Sequence, residues 1–156
     1  MRKQKLVIPG IIVGLAACGG GAQLFVGPDL FTYSATSQVT STNPMRFSTT
    51  VTVTNGTADA ISFVPACPIP RTLVYSTAAR NGTPIWDSNT RVPAILCTVP
   101  SSVTLGAGKS VTYTLTATGA EALGASGTAG TYFLVDEVTL DGLSTRVNAG
   151  EVSLAR

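Results

Sequence analysis

Phe47-Ser48-Thr49-Thr50-Val51-Thr52-Val53-Thr54 is the stretch whose reading decides the fold. Side chains alternate between faces along a strand, so Phe47, Thr49, Val51 and Val53 share one side and Ser48, Thr50, Thr52 and Thr54 the other. The first set is apolar apart from one inward hydroxyl, Thr49; the second is hydroxylated throughout. This is a half-buried strand. Asn55-Gly56-Thr57 behind it supplies turn residues able to take positive φ.

The same alternation recurs on both sides. Phe31, Tyr33, Ala35 and Ser37 predict a first strand that ends near Ser41-Thr42-Asn43-Pro44. Ile61 to Val64 begins a third, stopped by Pro65 and by Pro68 and Pro70 around Cys67. Leu73 to Thr77 and Pro84-Ile85-Trp86 flank Arg80-Asn81-Gly82 and read as a hairpin. The apolar run from Val92 to Val99, broken by Pro93 and Pro100, reads as an edge segment or loop pinned by Cys97.

Val103-Thr104-Leu105 precedes a Gly106-Ala107-Gly108 turn, and Val111, Tyr113, Leu115 and Ala117 alternate with threonines in a further strand. Gly119 to Leu123 leaves room for one helical turn. Thr131 to Leu140 is a long strand in which Tyr132, Leu134, Asp136 and Val138 share one face, and a bulge or bend near Asp136 is expected to keep its carboxylate out of the core. Asp141-Gly142 then turns the chain into Thr145 to Leu154. Short strands separated by turns, with no long helix, predict an all-β fold: an antiparallel sandwich of about 7–9 strands.

The segment before the strands is of another kind. Arg2, Lys3 and Lys5 precede an uncharged run from Leu6 to Ala17. As a helix that run spans about 18 Å, short of a hydrocarbon core about 30 Å thick. It reads as a cleaved signal peptide rather than a membrane span. Leu15-Ala16-Ala17-Cys18 looks like the lipobox of bacterial lipoproteins, in which the cysteine thiol receives a diacylglycerol and becomes the first residue of the mature chain. Stable anchoring takes two or more acyl chains, which the modified Cys18 would carry. Gly19 rather than Asp follows it, which by resemblance to sorting in two-membrane bacteria points to the outer membrane. The expected organisation is a signal peptide over 1–17, a lipidated N-terminus and tether over 18–29, and one domain over 30–156.

Loss of Arg2, Lys3 and Lys5 takes the formal charge from +2 to −1. A near-neutral chain offers nucleic acid no electrostatic footprint. Histidine is absent, so Ser-His-Asp, Cys-His and His-metal arrangements cannot be built from this chain. With Cys18 assigned to lipid, Cys67 and Cys97 remain as an expected disulfide in an oxidising compartment. Closing a loop of about 30 residues stabilises a domain by roughly 3–4 kcal/mol on the chain-entropy model. Their spacing does not suit zinc. No cofactor or metal is implied.

Candidate chemistry is sparse. Asp136 and Glu137 are adjacent, so on a strand they point to opposite faces and cannot act as one acid/base pair. Asp87 and Asp141 read as turn and surface residues. Trp86, the one tryptophan, reads as core packing before it reads as a binding aromatic. The two Asn-Gly-Thr triplets, at 55–57 and 81–83, match a glycosylation acceptor pattern, although turn chemistry accounts for them. Nothing here suggests an enzyme.

Val51 to Asn55, Leu73-Val74-Tyr75 with Pro84-Ile85-Trp86, Leu105 to Tyr113, and Ala129-Gly130-Thr131-Tyr132 occur in an order that resembles the bacterial intracellular proteinase inhibitor (BsuPI-like) family. The similarity runs over about residues 47–138 and implies an immunoglobulin-like sandwich. It also implies a second role, protease inhibition through an exposed loop. Residues 65–71 fit that role best, because Pro and a crosslink pre-organise a loop, and Arg71 would suit a trypsin-like pocket. The plainer reading is that Pro65 to Pro70 end a strand. The first expectation for function is therefore a non-catalytic envelope lipoprotein. The lipid bilayer engages it through Cys18, and a protein or glycan partner engages its sandwich.

Overall fold

The structure, a computed structural model, describes residues 30–90 and 101–156. Among them nine strands run β1 Phe31–Thr42, β2 Met45–Asn55, β3 Ile61–Phe63, β4 Arg71–Tyr75, β5 Trp86–Asp87, β6 Val103–Leu105, β7 Ser110–Thr118, β8 Gly130–Leu140 and β9 Leu143–Leu154. One short helix, α1 Gly119–Leu123, lies between β7 and β8. All pairings are antiparallel. The sheets have the orders β1-β2-β7 and β5-β4-β8-β9, with β3-β6 as a separate pair. The first, second and seventh strands thus share one sheet while the fourth, eighth and ninth share the other. Strand partition of this kind belongs to immunoglobulin-like sandwiches.

The core forms where the inward faces meet. Phe47, Thr49, Val51 and Val53 of β2 have no exposure, and Val74, Leu134, Asp136 and Val138 oppose them from β4 and β8, equally buried. One apolar cluster joins Phe47, Val74, Leu123, Tyr132, Leu134 and Leu154; a second joins Phe31, Val51, Val53, Phe63, Val138 and Leu140. Trp86 packs edge-on to Phe47 at 6.1 Å, which places it with the core. Tyr132, near the start of β8, donates its hydroxyl to Thr128 O at 2.7 Å, the tyrosine corner of such sandwiches.

The outer face of the three-stranded sheet is a lattice of hydroxyls. Thr50 meets Thr114 at 3.2 Å, Thr52 meets Thr112 at 3.2 Å, and Thr54 meets Ser110 at 2.7 Å. Register places Thr36, Ser34 and Thr32 of β1 beside the same three β2 residues.

Local signals set the turns. Asp141 and Gly142 take φ of 48° and 81°, the positive pair that a tight hairpin requires. Thr118 caps α1 by accepting from Glu121 N at 3.1 Å, while the Glu121 carboxylate accepts from Thr118 N at 2.7 Å, a capping box. Gly119 is pressed so close to the C-terminal segment that a Cβ there would sit 1.8 Å from Ala155 O.

One expectation fails. The register shift falls between Leu134 and Val135, where β9 carries the extra residue, Ala149. β8 therefore keeps its alternation and Asp136 points inward, fully buried. No bend removes it from the core; the Thr72 hydroxyl of the neighbouring strand β4 bonds it there.

Candidate functional site

Loop 64–70 joins β3 to β4 and is clamped to the β8–β9 hairpin. Val64 N donates to Asp141 Oδ1 at 2.8 Å, Asp141 N to Val64 O at 2.9 Å, and Ala66 N to Thr139 O at 2.8 Å. Pro65 bridges Leu140. The clamp fixes a loop in which Ala66 and Cys67 are exposed, beside two large apolar side chains left in solvent, Val64 at 44% and Leu143 at 45%. It lies at the end of the sandwich where β1 begins, since Phe31 stacks edge-on to Phe63 at 5.2 Å and shares a cluster with Leu140. The last peptide bonds of the loop, Cys67-Pro68 and Ile69-Pro70, are cis.

Arg71 is not part of that loop. It opens β4, and its guanidinium is committed on both sides: Nε and Nη2 donate to Asp87 at 3.0 and 2.6 Å, and Nη1 to Glu137 Oε1 at 2.9 Å. The register that sets Arg71 against Glu137 builds this cluster. The hydrogen bonds from Arg71 hold the Asp87 carboxyl below its ordinary value against partial burial, and the same bonds raise the Arg71 value. Arg71 is thus not a free contact for a protease pocket, because three of its N–H groups already bond two carboxylates.

Glu137 and Asp136 do part to opposite faces, one in the ion cluster and the other in the core. Thr72 donates to Asp136 Oδ1 at 2.6 Å, and Thr49 of the opposite sheet meets Thr72 at 2.9 Å. Because the single Thr72 proton goes to the carboxylate, Thr49 is the donor in the second bond. Thr72 N donates to Ser88 Oγ at 2.8 Å. Asp136 Oδ2 is buried with no partner. Desolvation raises the Asp136 value above 3.8, and the Thr72 and Thr49 hydroxyls offset part of the rise.

Arg80, at φ 51°, ties the β4–β5 loop down. Its guanidinium lies over Phe133 at 5.3 Å and donates to Gly150 O at 3.3 Å. Beside it a shallow cleft of about 370 Å³ opens between β1 and β9, lined by residues 35–37 and 148–151. Among the described residues no three His, Cys, Asp or Glu side chains group to hold a metal, and no helix is long and apolar enough to cross a membrane.

Of the sequence-predicted sites, Cys67 sits in the clamped loop; Cys18, Cys97 and the Val92–Val99 segment lie outside the described residues. The clamp has no local sequence signal: Asp141 reads as a turn and surface residue, and its second task, accepting from Val64 N, depends on a contact far away in sequence.

No family model matches the chain, and no curated protein matches it. Among solved structures it is similar to a structural-genomics target from Bordetella pertussis assigned as an ApaA protein, at 16% identity over 80% of this chain and 92% of that one, with a TM-score of 0.39. A second structural-genomics target shows 12% identity over 82% of this chain and 88% of its own, with a TM-score of 0.37. β-Glucosidase 3B of Thermotoga neapolitana shows 13% identity with a TM-score of 0.36, over 81% of this chain and 17% of the enzyme. Likenesses at this level carry nothing to this chain's function.

Proposed function

We propose that the chain is a lipid-anchored protein of the bacterial envelope, held through acylated Cys18 at the outer membrane, whose sandwich is a non-catalytic binding or structural module. The anchor rests on the signal peptide and the Leu-Ala-Ala-Cys sequence. The binding role rests on one observation: the backbone clamp at Asp141 holds loop 64–70 in place beside exposed Val64 and Leu143. A fixed loop loses little conformational entropy when a partner closes over it. A disulfide from Cys67 to Cys97 is part of this reading and would brace the loop further.

Fatty-acid labelling tests the anchor: Cys18→Ala should lose the label and leave the membrane. Capture of envelope proteins on the purified chain tests the module. A protein or glycan captured by the native chain should be lost with Val64→Asp or Leu143→Asp, and capture unchanged by both would remove this end of the sandwich from consideration.

The exposed, clamped loop also supports a second reading, protease inhibition. Ala66 and Cys67 would then make the contact, with Arg71 kept back in its ion cluster. A panel of extracellular proteases unaffected by micromolar protein would dispose of it.

A further inference from the structure

We infer that Asn81 is a site of spontaneous deamidation and that Asn55, in the same Asn-Gly-Thr setting, is protected by the fold. The reaction needs an accessible side-chain amide and a following backbone N–H free to reach it. Gly82 N attacks Asn81 Cγ, the Cγ–Nδ2 bond breaks, and ammonia leaves with the proton that Gly82 N gives up. A succinimide remains. Water then opens either of its carbonyls, giving aspartate or isoaspartate, with no oxidant or reductant required.

Asn81 and Gly82 are both exposed. Gly82 takes φ 79°, and a Cβ built on it would meet nothing within 4 Å, so this residue stands in open space. The hydrogen bonds that hold this loop fall on either side: Arg80 N to Thr77 O at 3.1 Å and Ile85 N to Val74 O at 2.8 Å.

Asn55 is the built-in control. It has no exposure. Its Nδ2 donates to Asp59 O at 2.7 Å, Leu105 O at 3.0 Å and Gly106 O at 3.1 Å, and its Oδ1 accepts from Thr57 N at 2.9 Å. The group that would attack is tied as well, since Gly56 N donates to Leu30 O at 3.0 Å. Leaving group and nucleophile are both locked by the sandwich, whereas among the described residues nothing bonds either group at Asn81. Deamidation would place a carboxylate next to Arg80, the cation that pins the loop to Gly150 and Phe133.

The test is peptide mapping by mass spectrometry of the full chain, aged in mildly alkaline buffer with and without guanidinium chloride. In the native chain the Asn81 peptide should gain the mass of an amide-to-acid exchange while the Asn55 peptide keeps its amide. In denaturant the two should convert at similar rates. Equal rates at both sites in the native chain, or an Asn81 as inert as Asn55 until unfolded, would overturn the inference.

Discussion

Thr72 Oγ1 donates to Asp136 Oδ1 at 2.6 Å across the pairing of β4 and β8, and the carboxylate that receives the bond has no exposure. A buried carboxylate favours its neutral form, so in the folded chain Asp136 keeps its proton above the ordinary value of 3.8. Between that value and the raised one the folded state binds more protons than the unfolded chain. Stability therefore falls as pH rises through the folded-state value, and stays lower above it. Denaturant unfolding at a series of pH values should show this slope, and Asp136→Asn should flatten it.

Thr72→Val keeps the shape of the side chain but removes both the donor to Asp136 and the acceptor of Thr49. Leaving buried polar groups unpaired costs about 1–3 kcal/mol. The unfolding midpoint should drop accordingly, and the pH-dependent loss should move to higher pH, because the charged form of Asp136 loses the Thr72 donor.

Arg71→Met should cost about 1 kcal/mol, since a partly exposed ion cluster is modest in energy and screened by salt. The difference between native and variant should shrink as salt is added. A salt-independent loss of the same size would mean that the side chain acts through packing on β4 and not through Asp87 and Glu137.

Gly119→Ala should be among the most damaging small substitutions. Its Cβ would overlap a backbone carbonyl, Ala155 O, which cannot rotate away as a side chain can. Overpacking of this kind costs about 1–3 kcal/mol, and hydrogen exchange should localise the loosening to the C-terminal residues and α1.

Tyr132→Phe deletes one hydroxyl, the donor to Thr128 O. The expected loss is about 1 kcal/mol, read as a lower thermal midpoint without change in β-sheet circular dichroism.

Much of the fold was legible because its strands obey a period of two. The alternation at Phe47–Thr54 and Val111–Ala117 named inward faces that are inward, and Asp141-Gly142 and Gly119–Leu123 announced their turn and helix. Periodicity, however, treats each strand alone. Thr49 looked like a flaw in β2 and Asp136 like a flaw in β8; across the sandwich they are ends of one hydroxyl–carboxylate chain, in which each explains the other. Arg71 likewise looked like a free loop cation, because its two acids come from β5 and β8 and only register brings them to it. The clamp on loop 64–70 was hidden for the same reason.

The hydroxyl lattice on the three-stranded sheet has a consequence for crowding. Thr50, Thr52 and Thr54 pair their hydroxyls with Thr114, Thr112 and Ser110, and β2 from Ser48 to Thr54 carries no charge there. That stretch of the face, beyond Arg46 at the start of β2, holds no group that titrates. Copies packed side by side would meet across it without electrostatic repulsion, so their spacing would be left to hydration and to charges elsewhere on the domain.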